Sequence, residues 1–81
     1  MSRFIATFHT HLSAMLTAQA LETAGAAPRM MPVPRRLSSS CGTCVRYEAA
    51  DPCLAQLDRD WEAVYRCTED GYDLVAAAEE N

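Results

Sequence analysis

Eighty-one residues with 49 % hydrophobic and 22 % charged side chains describe one small soluble domain, too short for a large cleft between domains. The net charge of −4 hides a split: residues 1–46 carry five arginines against Glu22 alone, and residues 47–81 carry two arginines against ten acids. Lysine is absent, which excludes Schiff-base chemistry and a P-loop, so the four cysteines are the one unusual chemical resource.

Phe4-Ile5-Ala6-Thr7-Phe8 is a β-branched and aromatic run, read as a mostly buried strand. Residues 10–24 lack Gly and Pro and repeat Ala14, Ala18 and Leu21 at helical spacing, with Leu12, Met15 and Leu16 widening the apolar arc. This predicts a helix ended by Gly25. The segment following Arg3 mimics a secretory signal, but His9, Thr10, His11 and Ser13 interrupt its apolar stretch, so neither export nor a membrane span is expected. A cytoplasmic setting follows, in which cysteines stay reduced.

Pro28 to Pro34 is extended, and its prolines place it at a sheet edge. Arg35 to Gly42 is a polar loop. Thr43 to Tyr47 alternates as a half-buried strand. Asp51-Pro52 reads as a helix start, and Leu54, Leu57 and Trp61 give that second helix an apolar face. Ala63 to Thr68 is a further strand, and Glu69-Asp70-Gly71 turns the chain so that Tyr72 to Val75 folds back as a short hairpin arm. Residues 1–75 then form a single domain and residues 76–81 a frayed tail.

The order βαββαβ predicts an α+β, ferredoxin-like sandwich: a four-stranded antiparallel sheet with two helices on one face. Right-handed crossovers put the loop after the second strand at the end where the first helix begins. Cys41 and Cys44 therefore meet His9, Thr10 and His11 at one end, and Cys53 and Cys67 fall at the other. This split and the single CxxC disfavour a four-cysteine zinc site.

A thiolate is stabilised by cations, helix N-termini and convergent amides. Arg35 and Arg36, the Ser38-Ser39-Ser40 run and flexible Gly42 supply such surroundings to Cys41. Cys41-Gly42-Thr43-Cys44 also has redox spacing, although it opens a strand rather than a helix. No basic patch interleaves with aromatics, so no nucleic-acid partner is expected.

The block Met31-Pro32-Val33-Pro34-Arg35-Arg36-Leu37-Ser38-Ser39-Ser40-Cys41-Gly42, preceded by Phe4 to His9 and followed by Val64-Tyr65-Arg66 and Glu69-Asp70-Gly71-Tyr72, resembles the small bacterial selenium/sulfur carrier-like family. Nearly the whole chain takes part in the resemblance. It implies a cytosolic carrier that holds sulfur or selenium on Cys41 as a persulfide or perselenide, with no metal or cofactor. Its implied partners are a cysteine desulfurase or related donor and an acceptor protein. His9 matches the family's strand-end histidine. Cys44 departs from the family's small or apolar residue, and a thiol there would be able to attack a Cys41 persulfide, release sulfide and leave a disulfide. Two other readings stay open: a CxxC thiol-redox or zinc-binding protein using Cys41 and Cys44, and a non-catalytic interaction domain.

Overall fold

The computed structural model describes residues 1–79. The elements run β1 (Ser2–Phe8), α1 (His11–Thr23), β2 (Arg29–Pro32), β3 (Thr43–Ala49), a single 3-10 turn (Leu54–Gln56), β4 (Trp61–Cys67) and β5 (Tyr72–Ala77). The five strands form one sheet in the order β2-β3-β1-β4-β5, antiparallel at every pairing. β1 and β2 run the same way, with β3 between them, and β2 carries its Pro32 at the edge as expected.

α1 starts and stops where the sequence says. Thr10 is extended and caps the helix through its side chain, which accepts from the Ser13 amide at 3.0 Å. At the other end the Ala26 amide donates to Leu21 O and the Gly25 amide to Glu22 O, each at 3.0 Å. This is the Schellman pattern, and Gly25 sits at φ +78°, where a side chain would be strained. Ser13, Ala14, Thr17 and Leu21 face the sheet. The flanking Leu12, Met15 and Leu16 are exposed, so the apolar arc is narrower than predicted.

The core under α1 is Phe4, Ala6, Phe8, Ala14, Leu21, Val45, Tyr47 and Val64. Burying each large member contributes about 1.5–3 kcal/mol. Ile5 and Thr7 point to the opposite face and yet are as buried as their neighbours. The long β2–β3 connection, residues 33–42, lies across that second face. β1 is therefore covered on both sides, which is why its sequence runs apolar without alternation.

Two expectations need correction. The α+β class holds, but the chain has one helix and five strands rather than two helices and four strands. The expected helix from Asp51 to Trp61 is replaced by one 3-10 turn. The Asp51 carboxylate accepts from the Cys53 amide at 2.8 Å, closing an Asx turn instead of capping a helix. Cys53 then adopts a left-handed φ of +56°. Span gives the deeper reason. Residues 50–60 must return from the Ser2 end of β1 to its Phe8 end, about 20 Å, and cross between strands as well, whereas eleven helical residues cover only about 16 Å. The segment is tied to α1 by the Asp58 amide donating to Thr17 Oγ1 at 2.8 Å and ends with the His9 amide on Asp60 O. The second correction is that the hairpin arm is a full strand. Ala76 and Ala77, assigned to the tail, belong to β5, while Glu80 and Asn81 lie outside the described residues. Among the described residues no helix is long and apolar enough to cross a membrane.

Candidate functional site

The connection between β2 and β3 is a closed loop. Its neck is the Val33 amide on Gly42 O at 3.1 Å, and Gly42 takes φ +74° to turn into β3. Within it, the Leu37 amide donates to Pro34 O, making a turn of Pro34-Arg35-Arg36-Leu37. Ser39 Oγ donates to Phe8 O at 2.8 Å, fastening the loop to the end of β1. Ser40 fastens it to β4, since its hydroxyl donates to Glu62 Oε2 at 2.7 Å and its amide to Glu62 Oε1 at 3.1 Å.

His9 joins this cluster from the end of β1. Its Nδ1 lies 3.4 Å from Ser40 Oγ and 3.4 Å from Glu62 Oε2. Partial burial acts to raise the Glu62 pKa, but the Ser40 hydroxyl and amide, with Ser39 and His9, outweigh it and hold the carboxyl below the usual range. His11, two residues further on at the start of α1, reaches Thr43 Oγ1 at 3.4 Å. The loop that carries Cys41 thus meets His9 through Ser40, and the start of β3 meets His11 through Thr43, at one end of the sheet, while Thr10 bonds only within α1 and Cys44 is turned to the other face.

Cys41 stands in this loop, half-buried against the edge of the core under α1. Its Sγ donates to Thr43 O at 3.4 Å and lies 3.9 Å from Ser39 Oγ. Cys44 is different. It lies opposite Thr7 and Met31, which puts it on the other face of the sheet, fully buried, with Sγ donating to Pro32 O at 3.7 Å. Burial, with the Cys41 and Cys67 thiols nearby, pushes its pKa up to about 11, against a lowering by Arg46. All four cysteines are free thiols. Among the described residues no group of three His, Cys, Asp or Glu side chains forms a metal-ligating cluster.

The remaining candidates are distributed unevenly. Ser38 is exposed and makes no hydrogen bond among the described residues. Arg35 and Arg36 line a cleft on the sheet face opposite α1, shared with Cys67, and Cys41 is not among the residues lining it. Arg36 Nη1 donates to Asp70 O at 2.6 Å. Glu62, which clamps the Cys41 loop, is the member of this cluster the sequence did not single out. It lies 22 residues beyond Ser40, and its one available signal was a carboxylate next to a strand-start aromatic, Trp61, which is common.

Against known protein families, the model described as "Putative Se/S carrier protein-like" matches residues 3–56. The match spans β1 through the 3-10 turn and stops before β4, so it covers less of the chain than the sequence resemblance suggested. Neither the curated proteins nor the solved structures contain a significant match.

Proposed function

The chain belongs to the Se/S carrier-like family, and on that premise we propose that it carries sulfur or selenium as a persulfide or perselenide on Cys41. The observation that supports Cys41 over the other thiols of the CxxC is the contrast in access. Cys41 is partly open on a loop pinned by Ser39 and Ser40, whereas Cys44 is sealed in the sheet with its proton tightly held. A carrier needs one reachable sulfur on a docking surface rather than a deep pocket.

Loading is an exchange at sulfur. The Cys41 thiolate attacks the terminal sulfur of a donor persulfide, and the donor's S–S bond breaks. A new S–S bond forms on Cys41, and the donor cysteine leaves as a thiolate that takes up the proton Cys41 gave up. Delivery reverses the polarity: an acceptor nucleophile takes the terminal sulfur and Cys41 returns as the thiol. The His9–Ser40–Glu62 cluster fixes the loop beside Cys41. A cysteine desulfurase is the donor class this chemistry asks for, in the cytoplasm.

Intact-mass measurement after incubation with a desulfurase and cysteine tests the reading. One added sulfur on the wild type, absent from Cys41→Ser and retained by Cys44→Ala, is the expected result. An adduct that survives Cys41→Ser, or none at all, would overturn it.

A further inference from the structure

The sheet face opposite α1 holds a cleft of about 490 Å³, within the range of small-molecule sites. One wall is the β2–β3 loop at Pro34 to Arg36, and the other is the β4–β5 turn from Thr68 to Gly71. The hydrogen bond from Arg36 to Asp70 O joins the two walls. Ile5 and Met31 form part of the floor.

Four arginines reach this cleft: Arg3 from β1, Arg46 from β3, and Arg35 and Arg36 from the loop. Two acids, Glu69 and Asp70, line it as well. Positive charge therefore prevails locally in a chain whose net charge is −4. Arg3 shares Glu48 at 3.9 Å in an exposed pair, which is weak. The side chains of Arg35 and Arg46 make no hydrogen bond or ion pair among the described residues. Arg46 is half-buried and stands directly across from Arg29 of β2 in the strand register. Like charges directly opposite each other destabilise a strand pair. Arg29 does not line the cleft, but an anion held there by Arg46 would offset part of that repulsion.

We propose that this cleft is a binding site for a small phosphate-bearing or similarly multivalent oxyanionic ligand, held by Arg3, Arg35, Arg36 and Arg46 beside the Cys67 thiol. Guanidinium forks bind phosphate oxygens bidentately, and their convergence from three separate stretches of chain favours a compact polyanion over a single carboxylate. The two walls limit the occupant to small-molecule size. The site is independent of Cys41, which lies outside the cleft, but Arg35, Arg36 and Cys41 share one loop. Cys67 gives the site a built-in reporter. Burial is the largest influence on this thiol and raises its pKa overall, against a lowering by Arg3 and Arg46.

The test is the alkylation rate of Cys67 in the full chain, followed by peptide mass, with inorganic phosphate, pyrophosphate or matched ionic strength of sodium chloride. Pyrophosphate is expected to slow Cys67 several-fold at concentrations where chloride does not. Arg46→Gln and Arg35→Gln each lose a charge-assisted contact and should weaken that protection about tenfold in concentration. Arg59→Gln, outside the cleft, should leave it intact. Arg35 is exposed on a loop, so its variant keeps the result interpretable if Arg46→Gln folds poorly. Equal effects of chloride and pyrophosphate, protection unchanged in Arg35→Gln, or protection by an acidic peptide but by neither phosphate would each overturn the proposal.

Discussion

Four thiols sit in four different environments, and their environments set their chemistry. Cys44 is the extreme case, with no exposed surface and a pKa near 11. A thiol whose pKa is higher in the folded chain than in the unfolded one holds its proton more tightly when folded. Its contribution to stability is complete below the ordinary thiol value of 9.0 and is lost as pH rises through about 11. Tyr47 is pushed up as well, by burial first and then by Cys53 and Asp51, and adds to the loss at still higher pH. Thermal melts between pH 9 and 11 should therefore fall steeply for the wild type and less steeply for Cys44→Ala. The variant also costs about 1 kcal/mol at neutral pH for the small void it leaves. Identical alkaline slopes in the two proteins would show that Cys44 does not set them. Native alkylation should likewise reach Cys41 well before Cys44. A buried, protonated Cys44 is poorly placed to attack a persulfide on Cys41, so the departure from the family pattern noted in the sequence need not change how Cys41 works.

At the scale of elements, what could be read in advance depended on whether the signal was local. α1 was legible because Thr10, the Ala14-Ala18-Leu21 spacing and Gly25 each act within a turn or two. Both ends carry measurable weight. Thr10→Ala removes the acceptor for the Ser13 amide and should cost about 1 kcal/mol in a urea unfolding curve. Gly25→Ala meets no neighbour within 4 Å, so its cost, about 1–2 kcal/mol, is the strain of a left-handed alanine. If Gly25→Ala is neutral, the Schellman reading of that terminus fails. The second helix was misread for the opposite reason. Asp51-Pro52 and the Leu54-Leu57-Trp61 spacing are sound local signals, but the distance that residues 50–60 must cover is fixed by the strands on either side. Register with β1 claims Trp61 for β4, opposite Phe8, and leaves too few residues for a helix of useful length. β5 was visible only as a short arm, because its edge position leaves Asp73, Leu74 and Val75 exposed and removes the alternation that would mark its full length.

Across the whole molecule, the charge split along the chain becomes a spatial meeting. Arginines from the first 46 residues line the cleft, and acids from the second half edge it, with Arg36 donating to the backbone carbonyl of Asp70. The sequence showed that asymmetry and placed Arg35 and Arg36 in the cysteine loop, but a loop has two sides, and no local pattern says which one an arginine takes. The loop is the cover for the second face of the sheet, fixed at Ser40–Glu62 and again at Arg36–Asp70. Gly71 makes the second fixing possible, since a Cβ there would lie 2.8 Å from Arg36 Nη1. That atom is the tip of a flexible side chain, so Gly71→Ala should push the guanidinium aside without breaking the sheet. Gly71 also sits at φ +157°, a conformation alanine rarely adopts, so the variant should lose about 1–3 kcal/mol and melt several degrees lower, and reactivity is compared well below that melting temperature. Cys67, no longer behind a closed wall, should alkylate several-fold faster, while Cys41, held through Ser39 and Ser40, keeps its rate. Unchanged Cys67 reactivity would mean that the Arg36–Asp70 contact does not hold the cleft closed. Acceleration of Cys41 and Cys67 together would mean that the loop moves as one piece, and that events in the cleft are felt at Cys41.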